Sequence, residues 1–131
     1  MSEGEVSSRG AGAAMGKKIL IVDDEADIRT FLSAVLKKHG YEAITAQNGT
    51  EGLAAAQRER PALIVLDIMM PKQSGPAFYQ RLLECEELAD IPIIVASGLP
   101  SRGSAVDNAV AVFDKPINPT EFIAAVNKAV G

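Results

Sequence analysis

Asp23, Asp24, Asp67, Ser97 and Lys115 lie far apart in the chain, yet each stands at the end of a short apolar run. An acid in such a place is, taken singly, an ordinary solvated turn residue. Gathered at one place, carboxylates repel: a pair at about 4 Å costs on the order of 4 kcal/mol at an effective dielectric of about 20. Lys115 offers one compensating charge. A hard dication such as Mg2+ (or Mn2+) compensates better, because it takes a few carboxylates and completes its shell with water and phosphate oxygens. Acids, a dication and a lysine together make a site for a phosphoryl group.

The chemistry requires that the chain bring these positions together. Apolar runs at 18–22 (KILIV), 41–46 (YEAITA), 62–66 (ALIVL), 92–96 (PIIVA) and 109–113 (AVAVF) are short and bounded by Gly, Pro or polar residues, which predicts five strands. Three of them scarcely alternate, as strands covered on both faces do not. The mixed second run suits a sheet edge. Ile28, Phe31, Leu32, Val35 and Leu36 recur at three- and four-residue spacing, predicting a helix over 26–39 that Gly40 stops. Asn48 before Glu51, and Asn118 before Glu121 with Pro119 first in the helix, mark two further helix starts, the last helix running over 119–130. Another spans about 76–86. The Gly-, Ser- and Pro-rich stretch between Ser97 and Val110 leaves room for a short helix at most.

Strands alternating with helices, joined by right-handed crossovers, predict a (βα)5 chain: an open parallel α/β sheet in a three-layer sandwich. Ligands bind such sheets at the carboxyl ends of the strands, where all five residues fall.

The chain has 131 residues, 47% apolar and 23% charged, enough for one well-cored domain. Residues 1–16 carry few large apolar side chains and predict a flexible tail; the domain is expected over 17–131. A net charge of −4, with no basic run longer than Lys17-Lys18 or Lys37-Lys38, argues against direct nucleic-acid binding. No apolar run approaches the ~20 residues of a membrane span, and no signal-peptide core is present. The single cysteine, Cys85, has no partner for an internal disulfide. A cytoplasmic protein without membrane contact is the expectation.

Asp23-Asp24, LIVLDIMMPKQSG (63–75) around Asp67, Ser97, and Lys115-Pro116 occur in the order, and at the strand ends, in which the receiver domains of response regulators in two-component signalling carry such motifs. The chain resembles that family, its chemotaxis-type receivers included, over 17–131. The resemblance implies a flavodoxin-like sheet of strand order 2-1-3-4-5. It implies that Asp67 is a nucleophile taking a phosphoryl group from a phosphohistidine, and that Asp24, Asp67 and the backbone carbonyl of Met69 hold the metal, with Asp23 binding directly or through water. Lys115 would pair with a phosphoryl oxygen or, beforehand, with Asp67. Ser97 would move to bond another phosphoryl oxygen, and Lys115-Pro116 would be cis. The implied partners are a histidine kinase or histidine phosphotransfer protein upstream and a protein target downstream that reads the strand 4 and strand 5 side. The implied role is a signalling switch with weak autophosphatase activity, not an enzyme. A monomer or weak dimer is expected, stand-alone or part of a larger regulator or hybrid kinase.

Two features depart from the family pattern. Val112 stands three residues before Lys115, where an aromatic switch residue is common, with Phe113 beside it; and the fourth helix is short. Leu99 and Met69 would flank the phosphoryl group and slow its hydrolysis. His39, the only histidine, reads as a helix-end surface residue. Competing readings are a phosphate-independent interaction module and an aspartyl phosphohydrolase. The latter needs an acid two residues beyond the nucleophile, where Met69 stands. A nucleotide-binding flavodoxin-like protein lacks its Gly-rich loop after strand 1.

Overall fold

The computed structural model describes residues 16–67, 75–97 and 109–130. In chain order its elements are β1 (Lys18–Val22), α1 (Ala26–Lys38), β2 (Glu42–Ala46), α2 (Gly49–Glu59), β3 (Leu63–Asp67), α3 (Gly75–Glu84), β4 (Ile93–Ser97), β5 (Ala109–Asp114) and α4 (Pro119–Val130). The strands form one parallel sheet of order β2-β1-β3-β4-β5, the order that the resemblance implies. The mixed second run is indeed an edge strand. The short helix expected between Ser97 and Val110 lies outside the described residues, as do Met69, Leu99 and all but Gly16 of the expected tail.

Near-continuous apolar strands demand cover on both faces, and the sheet has it. Ile19, Ile21, Leu63, Val65, Ile94 and Ala96 point to one side, where they pack with Leu32 and Leu36 of α1 and Phe122, Ile123 and Val126 of α4. Leu20, Val22, Ile64, Leu66, Ile93 and Val95 point to the other, against Ala55 and Ala56 of α2 and Phe78, Tyr79 and Leu82 of α3. Each fully buried Leu, Ile or Phe contributes about 1.5–3 kcal/mol relative to exposure, so these two layers hold the sheet rigid under the site. On β5 burial alternates instead: Val110 and Val112 are exposed while Ala111 and Phe113 are half-buried. Phe113 meets Phe122 edge to face, with ring centroids 6.2 Å apart. Period-two alternation therefore puts Phe113 and Val112 on opposite faces, and Phe113 does not replace the missing aromatic at 112.

The helix ends follow their capping residues. Asn48 Oδ1 accepts from Glu51 N at 2.9 Å, and Asn118 Oδ1 from Glu121 N at 3.0 Å. Glu51 bonds the backbone and side chain of Gln47 in return. Its carboxyl is lowered from the usual range, first by the Gln47 side chain. His39 closes α1, its Nδ1 2.9 Å from the Val35 carbonyl oxygen. α2 ends on Arg60 in the left-handed region at φ 50°, directly before Pro61. Gly52 lies tight against β1 and α3: a Cβ there would lie 2.9 Å from Val22 Cγ2 and 3.0 Å from Phe78 Cε1. Far from the strand ends, the Tyr41 hydroxyl donates to Asn127 Oδ1, joining the approach to β2 with α4.

Candidate functional site

β1 and β3 are neighbours at the point where the strand order reverses, the place where open α/β sheets form ligand crevices. Asp67 is the last residue of β3, aligned with Ala96 of β4, so its backbone is fixed by the sheet and not by a loop. The apolar-run boundary put it just beyond the strand; ladder pairing carries the strand one residue further. Ser97 likewise ends β4, aligned with Asp114; its side chain lies outside the described set.

Asp23 follows β1 and is tied down on every side. Its N–H donates to the Ala46 carbonyl at 3.1 Å, and its carbonyl accepts from Arg29 Nη1 at 2.7 Å. Its Oδ1 accepts from the Glu25 N–H at 2.9 Å, a two-residue side-chain turn that starts α1. Lys115, after β5, reaches across the strand ends. Its Nζ lies 2.9 Å from Asp23 Oδ2, 3.5 Å from Asp67 Oδ2 and 3.7 Å from Glu25 Oε1. The Lys115-Pro116 peptide is cis, as the resemblance implies. Burial by itself would lower the pKa of the Lys115 ammonium. The hydrogen bond and charge of Asp23, with the charges of Asp67 and Glu25, outweigh it and raise the pKa above the usual lysine value.

One carboxylate oxygen from each of Asp23, Asp24 and Asp67 lies within 4.8 Å of the others. Asp23 and Asp67 are buried, at 2% and 3% exposure, whereas Asp24 is exposed. Ionised groups are buried only when paired, and among the described residues one ammonium, that of Lys115, faces two buried carboxylates. An all-oxygen set of three acids with an open side fits a hard dication of the Mg2+ class and not a soft one. Met69, whose carbonyl was a candidate ligand, lies outside the described residues.

The expected convergence of Asp23, Asp24, Asp67 and Lys115 is thus observed. The pairing of the charges was not foreseen. Lys115 sits closer to Asp23 than to Asp67, and Glu25 and Arg29 belong to the site's surroundings. The sequence placed Glu25 after strand 1 beside Asp23 and Asp24; Arg29, in the first turn of α1, carried no signal in its spacing.

The sequence profile of the family described as "Response regulator receiver domain" matches residues 19–127. The chain is 29% identical over 116 residues to protein Rrf1 of Nitratidesulfovibrio vulgaris, covering 88% of this chain and 84% of that protein. It is 38% identical over 120 residues to the phosphate regulon transcriptional regulatory protein PhoB of Pseudomonas aeruginosa, covering 88% of this chain and 52% of PhoB. The chain likewise spans about half the length of the ycf27 regulators, such as that of Cyanophora paradoxa, 40% identical over 114 residues with 84% of this chain and 46% of that protein covered. Among solved structures, the chemotaxis protein CheY4 of Vibrio cholerae superposes with a TM-score of 0.80 at 32% identity, covering 87% of this chain and 98% of that one. No described helix is long and apolar enough to cross a membrane. With the profile spanning nearly all of the folded sequence and the acidic cluster in its place, the chain belongs to the response regulator receiver domains of two-component signalling.

Proposed function

We propose that the chain accepts a phosphoryl group on Asp67 from a phosphorylated histidine, in a reaction that requires a divalent cation, and that the charge so added switches its surface for a partner. The observation that carries this reading is the placing of the buried Asp67 carboxylate among two further acids and beside the Lys115 ammonium, 3.5 Å away. An Asp67 oxygen forms a bond to phosphorus on the side opposite the donor's P–N bond. That bond breaks with its electron pair on the imidazole nitrogen, which takes up a proton, and an aspartyl phosphate remains.

Asp23, Asp24 and Asp67, with the Met69 carbonyl, would hold Mg2+ or Mn2+. Bound there, the cation would supply positive charge for the phosphoryl oxygens. The protein's own residues do the rest. β3 holds the Asp67 backbone in place, so the nucleophile is oriented before the donor arrives. Lys115 passes from Asp23 to a phosphoryl oxygen, and Ser97 donates a hydrogen bond to another. Adding almost two negative charges at one strand end then biases the equilibrium between two arrangements of the β4–β5 side. Weak self-hydrolysis returns the switch to rest.

The donor is a histidine kinase or phosphotransfer protein, and the reader is a protein. The net charge of −4 supports a protein over nucleic acid as the direct partner of this domain. A cytoplasmic setting and a unit beginning near Lys17 accompany the reading. The test is incubation with acetyl phosphate and Mg2+, read by intact mass for the wild type and Asp67→Asn. One added phosphoryl group that needs both the metal and Asp67 is the expected result; no adduct, where a known receiver is labelled, would favour a phosphate-independent interaction module.

A further inference from the structure

We infer that Glu25 is a positioning residue for Lys115: it retains the ammonium at the rim of the acidic cluster and so brakes phosphoryl acceptance. The inference rests on the function proposed above. Lys115 has three N–H donors and three carboxylates near them, at 2.9, 3.5 and 3.7 Å. Asp23 and Asp67 are buried, while the Glu25 side chain is 58% exposed.

Glu25 occupies the N-cap of α1, yet its side chain makes no capping hydrogen bond. Caps favour the shorter Asn, Asp, Ser and Thr, so the glutamate side chain does not act as the cap of this helix. Its backbone is nonetheless anchored on both sides: its N–H donates to Asp23 Oδ1 at 2.9 Å, and its carbonyl accepts from Arg29 N at 3.1 Å. A fixed root thus places the carboxylate by Lys115. Glu25 also stands outside the three acids whose oxygens could share one cation. When a cation draws on Asp23 and Asp67, Glu25 is the carboxylate still free to keep the ammonium.

Two effects then act in the same direction. The Glu25–Lys115 pair must loosen before Lys115 can serve a phosphoryl oxygen. Glu25 also adds negative charge facing an anionic donor. The pair is long and solvent-exposed on one side, so its effect is modest, a change in rate of about two- to fivefold.

Glu25→Gln keeps the shape and removes the charge. In the metal-free protein, the Lys115 ammonium signal in 15N-labelled lysine side-chain NMR should shift. The Lys18 ammonium, paired with Glu59 at 3.0 Å, should stay and serves as the internal control. With acetyl phosphate and saturating Mg2+, uptake should be about two- to fivefold faster than in the wild type. The gain should shrink when Lys115 is also replaced by Met, because the brake acts through that side chain. An unmoved Lys115 signal, an unchanged or slower uptake, or a gain that is undiminished without Lys115 overturns the inference. A wild type that takes up no phosphoryl group at all would instead overturn the function on which it rests.

Discussion

Replacing Lys115 with Met keeps most of the side-chain stem and removes an ammonium that faces two buried carboxylates. At an effective dielectric of about 20, charges 2.9 Å and 3.5 Å apart attract by about 6 and about 5 kcal/mol. Desolvation of the three groups offsets most of that sum, which is why buried pairs contribute little net stability. Removing one partner is different, because the two carboxylates stay buried without the ammonium's charge, at a cost of about 3–5 kcal/mol. Asp24 and Glu25 open the cluster to solvent, which favours the low end, about 3 kcal/mol. For a domain of this size that is a fall in Tm of about 10 °C. Urea unfolding followed by circular dichroism, with chelator present, measures the loss. Mg2+ should then restore more stability to Lys115→Met than it adds to the wild type, since the cation no longer competes with an ammonium. A wild-type gain of about 2.7 kcal/mol corresponds to a metal concentration of about 100 times its Kd. Equal midpoints in chelator, or equal Mg2+ increments for the two proteins, would refute the reasoning.

Two other perturbations test the surrounding fold. Gly52→Val should cost about 2–3 kcal/mol in chemical denaturation, because even a Cβ would come within 3.1 Å of both Val22 methyls and within 3.0 Å of the Phe78 ring, and β-branched Val22 cannot turn away cheaply; an unchanged midpoint would show that α2 can shift outward. The Glu59 carboxyl is held below its ordinary 4.5, first by the Lys18 hydrogen bond and then by the Arg58 one. Its folded pKa is therefore the depressed one: its contribution to stability is present above about pH 4.5 and is lost as the pH falls through the folded value. Acid titration of unfolding should lose that step in Glu59→Gln, and identical acid profiles would contradict the pairing.

Most of the frame was legible because the three central strands are apolar almost without interruption and alternate with helical stretches, as the strands of a doubly covered parallel sheet do. Asn48 and Asn118 announced two helix starts within a residue, since an N-cap is a local matter of one side chain and one N–H. Convergence of Asp23, Asp24, Asp67 and Lys115 followed from topology, because every strand of a parallel sheet delivers its carboxyl end to the same edge. What the residues did not announce was how the charges pair. Whether Lys115 lies nearer Asp23 or Asp67 depends on differences of a few tenths of an ångström. Glu25 enters the site only because the Asp23 turn fixes its backbone, and no spacing rule encodes that. The strand ends at Asp67 and Ser97 were placed one residue early, because hydrophobicity stops at the polar side chain while the sheet pairing does not.

The account stands most directly on the identity of the acceptor. Protein treated with acetyl phosphate and Mg2+ can be reduced with borohydride, which converts an aspartyl phosphate to homoserine, and mapped by tandem mass spectrometry. The account predicts homoserine at position 67 alone, and none when Mg2+ is withheld. Homoserine at Asp23 or Asp24, or at no aspartate while the intact mass still rises, would contradict it.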